Sequence, residues 1–213
     1  MKIVVLGATG ACGRHVVRQA LDRGYEVVAY VRRPDAVEPR DRLRVVGGGL
    51  DDVAAMTAVF KGADAVISCI GLKLDMASIG RANLMDRVMP KILDAADALG
   101  AKRFVLMSAF GVGDTARKAS GLARVLYSTL TRAIFDDKAR SEKALARRRI
   151  NWTVIYPVML FEGPRAAGVT VAPLEQVTRV RGLPKVPYDN VASVLLDLAG
   201  RSDFSGMRLL VTA

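Results

Sequence analysis

The chain has 213 residues, of which 51% are hydrophobic and 6% are aromatic. This length is enough for one sizeable domain and too short for two full ones, and the apolar content excludes wholesale disorder. The 32 lysines and arginines outnumber the 21 aspartates and glutamates, so the formal net charge is +11. Such a surplus suits an anionic ligand, a nucleic acid or an anionic membrane, and a generally basic surface is the simplest interpretation.

The cysteine count and the hydropathy of the chain indicate its compartment. Two cysteines, Cys12 and Cys69, do not make a disulfide framework, and with one histidine they do not suit a structural zinc site. The apolar start of the chain, residues 3–6, is too short for the hydrophobic region of a signal peptide, and no stretch reaches the ~18 apolar residues of a membrane span. We therefore expect a cytoplasmic protein without a metal or a membrane partner.

The first half of the chain alternates apolar runs, which are typical of buried strands, with helical patterns. The predicted strands cover residues 1–6, 27–31, 42–46, 65–70 and 104–107. The predicted helices run from Val16 to a stop at Gly24, over 51–60, and over 81–99 with Pro90 inside. This alternation predicts an α/β fold with a doubly wound parallel sheet of the Rossmann type, whose ligand crevice lies at the carboxyl ends of the strands.

The second half continues the pattern with fewer elements. A long helix is predicted over 120–149, a strand over 152–156, a helix over 189–198 and a last strand over 208–211. Residues 157–187 contain several glycines and prolines, and we expect them to form a small irregular segment on the substrate side. Because no linker or repeat interrupts the chain, residues 1–213 are predicted to be a single domain.

The turn after the first strand carries glycine at every third position, as Gly7, Gly10 and Gly13. Glycines let the backbone turn tightly and approach a pyrophosphate, and the free N–H groups at the start of the following helix favour its negative charge. A glycine pattern alone is a weak signal, but here it joins a buried strand to a helix. It therefore predicts a phosphate-binding turn for a dinucleotide.

Two arginines, Arg32 and Arg33, follow the second strand, and no carboxylate occurs before Asp35. NAD-binding enzymes usually place an acidic residue here to bind the ribose 2′-hydroxyl. A guanidinium instead suits a 2′-phosphate, both by its charge and by its forked donors. The sequence therefore favours NADP(H) over NAD(H); the alternative is that one or both arginines are merely solvated.

Several motifs in chain order resemble those of the atypical short-chain dehydrogenase/reductase superfamily. They are the glycine turn, Val31 to Pro34, Ser68 to Gly71, Met107 to Ala109, Lys138-x-x-x-Glu142 and Trp152 to Pro157. The resemblance covers nearly the whole chain and is nearest to the NmrA-like, NAD(P)H-binding branch that includes flavin and biliverdin reductases. It is specific for the fold and the cofactor and says little about the substrate.

The resemblance implies further cofactor contacts, most of them at the carboxyl ends of strands. They are Thr9, Ala11 and Cys12 at the phosphates, Leu50 at the adenine, Cys69, Ile70 and Gly71 at the adenosine ribose, Ser108, Pro157 and Val158 at the nicotinamide, and Lys138 at the nicotinamide ribose.

The chain departs from the family where a proton donor is expected. Members usually carry a tyrosine four residues before the lysine, and Ile134 stands at that position. Flavin-reducing members do without this tyrosine, because hydride passes to an electrophilic ring and solvent can supply the proton. Tyr127 and Tyr156 remain as candidate acids. The predicted catalytic set is Ser108, Lys138 and Tyr156.

These observations favour an NADPH-dependent oxidoreductase that transfers hydride to a flat conjugated acceptor such as a flavin or a quinone. The alternative is a non-catalytic NADP(H)-binding sensor of the NmrA type, which would bind a partner protein; an epimerase is disfavoured by the missing tyrosine. The basic tract 140–149 lacks interleaved aromatic residues, so we expect a solvated helix face and no nucleic-acid partner. We expect a small-molecule substrate and a monomer or homodimer.

Overall fold

One mostly parallel sheet organises the computed structural model, which describes residues 1–71, 83–98, 102–121, 123–124 and 131–213. The strands are β1 (Lys2–Leu6), β2 (Glu26–Val31), β3 (Leu43–Gly47), β4 (Ala65–Ser68), β5 (Phe104–Met107), β6 (Trp152–Pro157), β7 (Met159–Phe161), β8 (Thr170–Pro173), β9 (Lys185–Pro187) and β10 (Met207–Thr212). Eight of them form the sheet in the order β3-β2-β1-β4-β5-β6-β10-β8, while β7 and β9 pair separately.

The sheet reverses its winding between β1 and β4. The chain moves outward from β1 through β2 to β3, and it then returns to build β4, β5 and β6 on the other side of β1. Every strand pair from β3 to β10 is parallel. The predicted Rossmann-type fold is therefore confirmed, and the ligand crevice of such sheets lies where the order reverses.

Continuous apolar runs explain why the central strands are buried on both faces. Residues 3–6 of β1 and 65–67 of β4 are all buried, although neighbouring side chains on a strand point to opposite faces. Helices must therefore cover both faces of the sheet. They are α1 (Ala11–Asp22), α2 (Val53–Phe60), α3 (Leu84–Ala98), α4 (Arg132–Leu145) and α5 (Tyr188–Ala199).

The helices pack in two groups. Helix α1 packs against α5, and His15 of α1 lies 3.2 Å from Asp189 of α5 and 3.0 Å from Glu162. Helix α3 packs against both α2 and α4. The carboxylate of Asp137 on α4 accepts hydrogen bonds from the amides of Met85 and Asp86, each at 2.9 Å. This buried carboxylate caps the start of α3 and thereby sets the position of α4 on the sheet.

The segment 157–187 is more regular than its composition suggests. It contains β7, β8 and β9, and β8 pairs with β10 in the antiparallel direction at the edge of the main sheet. The prediction of an irregular segment is therefore wrong only for the residues of these three short strands. Strands of three or four residues are too short to show a periodic pattern, and their pairing depends on a neighbouring strand that is distant in sequence.

The predicted helix over 120–149 is also corrected. Helix α4 begins after Thr131 and ends at Leu145, while residues 122 and 125–130 lie outside the described ranges. The guanidinium of Arg148 pairs with Asp94 and Asp97 of α3, at 2.6 and 2.8 Å. These ion pairs hold the arginine-rich end of the predicted helix in the loop that leads to β6.

Two smaller boundaries also differ from prediction. Strand β4 ends at Ser68 rather than at residue 70. Helix α2 begins at Val53, because the side chain of Asp52 caps it by accepting from the amide of Ala55 at 2.9 Å. Helix α3 continues on both sides of Pro90, which lies inside it as predicted.

In the part of the chain that the structure describes, no helix combines the length and apolarity needed to cross a membrane.

Candidate functional site

The turn between β1 and α1, residues 7–13, is built so that only glycine fits at two positions. We call it the glycine turn. Gly7 has a φ of +78°, and a Cβ there would lie 2.9 Å from the carbonyl carbon of Cys69. A Cβ on Gly13 would lie 2.9 Å from the carbonyl carbon of Gly7 and closer still to its oxygen. The turn is thus pressed against the end of β4, and the amide of Gly10 closes it with a 2.9 Å bond to the oxygen of Gly7.

The start of α1 presents free donors at this turn. The amides of Ala11, Cys12 and Gly13 have no acceptor among the described residues, as the first turn of a helix requires. No acidic side chain occupies the first turn, and the side chain of Thr9 is exposed beside it. Donors and the helix dipole together make the turn suitable for a phosphate anion.

Arg32 and Arg33 lie directly beyond β2, the strand next to β1. Both are exposed, and neither guanidinium has a hydrogen bond or an ion pair within the described ranges. Many other arginines of this chain are paired with carboxylates, for example Arg87 with Asp51 at 2.7 Å. The two guanidinium groups are therefore available to an anionic ligand at the same edge as the glycine turn.

The end of β4 meets α4 at a buried cation. Lys138 is 8% exposed, and its Nζ lies 3.5 Å from the point that a Cβ on Gly71 would occupy. This ammonium has no hydrogen-bond partner among the described residues, and burial lowers the pKa of Lys138. At the end of β4, the hydroxyl of Ser68 is buried and also lacks a partner in the described part of the chain. The buried Ser68 hydroxyl without a partner and the Lys138 ammonium beside residues 69–71 suit a polar ligand there.

Ser108 and Tyr156 meet at one carboxylate, that of Glu142. Ser108, just after β5, donates to Oε1 of Glu142, and the Tyr156 hydroxyl donates to Oε2 at 2.6 Å. Arg208 donates through Nε to the Tyr156 oxygen at 3.1 Å and also pairs with Asp114. These hydrogen bonds link α4, β6 and β10 to Ser108, the residue that follows β5.

The structure places Tyr156, which was predicted as a candidate acid, in the interior of the protein. The residue is 1% exposed, and burial together with the Glu142 carboxylate raises its pKa. A phenol that points inward and donates to Glu142 is an internal support rather than an exposed acid. The Tyr156 side chain lies on the face of β6 that is turned toward Glu142 of α4. A strand that is buried on both faces has an uninterrupted apolar sequence, so its pattern does not reveal which face a given side chain occupies.

Glu142 is the residue that sequence analysis left without a role. It follows Lys138 by four residues, so both side chains lie on one face of α4. Burial raises the pKa of the Glu142 carboxyl, against the opposing effects of Ser108, Tyr156 and Lys138. The spacing from the lysine could have pointed to it, but the two hydroxyl partners could not be read from the sequence.

The remaining predicted residues lie at the same edge with fewer polar contacts. The carbonyl of Pro157 accepts from the Phe110 amide at 2.9 Å, and the amide of Val158 donates to Val211 at 3.0 Å. Leu50 is partly buried in the segment after β3. No hydrogen bond or ion pair joins Leu50 or the arginines after β2 to the glycine turn in the described ranges. Tyr127, the other candidate acid, lies outside the described residues.

The comparisons with known proteins agree with this geometry. Residues 7–201 match the model of a family described as NAD(P)H-binding. The chain is 26% identical over 166 residues to the photosystem II assembly factor Ycf39 of Synechocystis, covering 76% of this chain and 46% of that protein. It therefore spans about half the length of this relative.

Two solved structures share the fold. The anaerobillin reductase ChuY of Escherichia coli O157:H7 has a TM-score of 0.80 and 21% identity, and the match covers 100% of this chain and 97% of ChuY. A short-chain dehydrogenase/reductase from Veillonella parvula, solved in complex with NADP, has a TM-score of 0.81 and 16% identity, covering 100% and 94%. The predicted resemblance and the predicted class of cofactor, a nicotinamide dinucleotide, are confirmed. The chain belongs to the NAD(P)H-binding family.

Proposed function

We propose that this protein is an NADPH-dependent oxidoreductase that transfers hydride to a flat, conjugated acceptor such as a flavin or a quinone. The observation that carries the proposal is the buried Lys138 ammonium beside Gly71, at the same edge of the sheet as the glycine turn. A lysine can only donate hydrogen bonds, and ribose hydroxyls are suitable acceptors. The arrangement suits a dinucleotide that extends from the start of α1 to the middle of α4.

The phosphate half of the cofactor would lie on the glycine turn. The amides of Ala11 and Cys12, with the hydroxyl of Thr9, would donate to the pyrophosphate. Arg32 and Arg33 would bind the 2′-phosphate, and their lack of other partners among the described residues supports a preference for NADPH over NADH. The NADP complex of the Veillonella relative supports the same preference.

The nicotinamide half would lie between α4 and the ends of β4 to β6. Lys138 would hold the ribose, with Ser108, Pro157 and Val158 on the nicotinamide side. Residues 69–71 would pass beside the adenosine ribose and Leu50 would contact the adenine. The bound cofactor supplies the hydride, and the residues of this chain accelerate the reaction chiefly by positioning.

The residue at the usual tyrosine position restricts the acceptor. Ile134 is 3% exposed and packs in the core one turn before Lys138, so no phenol stands there to protonate a carbonyl. A conjugated ring accepts hydride without a strong acid beside it, because the ring delocalises the added charge. The described activity of ChuY as an anaerobillin reductase supports an acceptor of this class.

A second candidate function is a non-catalytic NADP(H)-binding regulator that binds a partner protein. Three observations favour it. Ile134 replaces the proton donor and Tyr156 is buried, and the relative from Synechocystis is named as an assembly factor rather than as an enzyme. Both functions share the cofactor site, so they differ in turnover and not in NADPH affinity.

Steady-state oxidation of NADPH against a panel of flavins, quinones and aldehydes separates the two functions. We expect turnover with at least one flavin or quinone, weaker turnover with aldehydes, and loss of turnover in Lys138→Ala. NADPH binding measured by calorimetry on the same samples is the control. Tight NADPH binding without any turnover would contradict the enzyme and favour the regulator. The cytoplasmic location and the monomeric or dimeric state stay predictions.

A further inference from the structure

A partly buried carboxylate with two hydroxyl donors has no role in the function proposed above. Glu142 lies one helical turn after Lys138, and its oxygens accept from Ser108 and from Tyr156, the latter at 2.6 Å. Ser108 is 3% exposed and Tyr156 is 1% exposed, whereas Glu142 is partly exposed. Of the three, Glu142 therefore has the most direct access to water.

The donors around Tyr156 decide which Glu142 oxygen can carry a proton. Arg208 has no acceptor atom, so its Nε donates to the Tyr156 oxygen at 3.1 Å. The hydrogen of Tyr156 is then directed to Oε2 of Glu142. A proton on Glu142 accordingly belongs on Oε1, where it faces the oxygen of Ser108. In that arrangement Ser108 accepts from Glu142, and its own hydroxyl hydrogen is free to point elsewhere.

Burial opposes the ionisation of Glu142. Burial raises the pKa of the carboxyl, and Lys138, whose charge would oppose this, has its own pKa lowered by burial. Asp114 engages the terminal nitrogens of Arg208 and thereby reduces the attraction that this guanidinium exerts on Glu142. Burial of Glu142 therefore works toward the neutral acid at the end of this short hydrogen-bond chain, against the charges of Lys138 and Arg208 and the hydroxyls that face the carboxyl.

We propose that Glu142 is the proton reservoir of the reduction, giving its Oε1 proton to Ser108 while Ser108 gives its hydroxyl proton to the acceptor. This inference rests on the proposed function. The acceptor gains one hydride from the reduced cofactor and one proton, so it is reduced by two electrons. Glu142 is left as a carboxylate and regains a proton from water. Glu142 replaces the proton supply that the tyrosine missing at Ile134 would give.

Glu142→Gln tests the reservoir with little change in shape. The amide oxygen can still accept from Tyr156 and the amide nitrogen can donate to Ser108, but no proton can be released. We expect kcat to fall by about 100-fold or more, since general acids typically contribute 10²–10⁴. KM for NADPH should change little. The control is Glu175→Gln, which changes an exposed glutamate with no ion-pair or hydrogen-bond partner in the described residues.

A readout that does not depend on activity uses the protein without cofactor. Infrared spectra near neutral pH should show the carbonyl band of a protonated carboxylic acid, which is absent in Glu142→Gln and retained in Glu175→Gln. If Glu142→Gln does not fold, Ser108→Ala takes its place: it should keep the infrared band and lose most of kcat.

The outcomes distinguish the two proposals. If the wild-type protein oxidises no NADPH with any acceptor, the proposed function fails and the reservoir fails with it. If the wild-type protein turns over and Glu142→Gln keeps its kcat, the reservoir alone is refuted, and Glu142 is a structural brace between α4 and the sheet. An ionised Glu142 in the infrared spectrum at neutral pH refutes it as well.

Discussion

Two substitutions in the glycine turn should separate folding from cofactor binding. Gly13→Ala places a Cβ 2.9 Å from the carbonyl carbon of Gly7 and closer to its oxygen, so the backbone itself must move. Gly10 has an ordinary φ of −74°, and a Cβ there would lie 3.1 Å from the Gly7 oxygen. This contact is tight but needs only a small adjustment. We therefore expect Gly10→Val to leave the fold intact and to direct its methyl groups into the space above the turn.

The sizes of the two effects follow from these contacts. Overpacking against backbone costs about 1–3 kcal/mol, so Gly13→Ala should lower the melting temperature by roughly 2–12 °C for a domain of this length. In Gly10→Val the pyrophosphate loses the amides of Ala11 and Cys12. Hydrogen bonds to a charged group contribute about 1.5–3 kcal/mol each, so losing both weakens NADPH binding by more than about 100-fold.

Calorimetric titration with NADPH and thermal unfolding, both on the same samples, measure the two quantities. Gly10→Ala is the matched control, with a Cβ but no branching, and should bind with an intermediate Kd. If Gly10→Val keeps both the wild-type Kd and the wild-type melting temperature, the phosphates do not lie on this turn. If Gly13→Ala has the same melting temperature as the wild type, the close approach of Gly13 to Gly7 is not present in solution.

Four further predictions follow from single contacts. Arg32→Glu should reverse the preference for NADPH over NADH, and calorimetry that shows equal affinity of the wild-type protein for both cofactors would contradict the assignment of Arg32. Lys138→Ala should weaken NADPH binding by about 1–3 kcal/mol; an unchanged Kd would mean that the amine does not reach the ribose. Asp137→Ala leaves the amides of Met85 and Asp86 at the start of α3 without their acceptor and should cost about 2–5 kcal/mol in denaturant unfolding, with a smaller loss in Asp137→Asn, which keeps one acceptor oxygen. Arg208 lowers the pKa of Asp114, so the ionised pair stabilises the fold above the ordinary aspartate pKa of about 4 and this contribution is lost as the pH falls further. Unfolding measured across this range should show wild type and Asp114→Asn differing most at neutral pH and converging in acid.

The phosphate-binding part of the candidate site could be predicted from the sequence, because it depends on interactions between neighbouring residues. The glycine turn follows from steric limits on φ and from the orphan amides of a helix start, and both depend on adjacent residues. The central strands follow from uninterrupted apolar runs such as residues 3–6. Arg32 and Arg33 could be predicted as candidate ligands of an anion because they directly follow β2. The family match over residues 7–201 and the order of the strands confirm the predicted fold and the predicted class of cofactor.

The tertiary structure alone decided the rest, because its contacts join residues far apart in the chain. Ser108 and Glu142 are 34 residues apart and Tyr156 follows Glu142 by 14, so no periodic pattern brings the three together. Whether Tyr156 faces a crevice or the interior depends on its hydrogen bond to Glu142 of α4, a helix that Asp137 joins to α3. Likewise β8 becomes a strand because β10 offers it an unpaired edge. The sequence by itself determined the fold class and a candidate set of dinucleotide-binding residues, whereas packing determined which carboxylate Ser108 and Tyr156 contact.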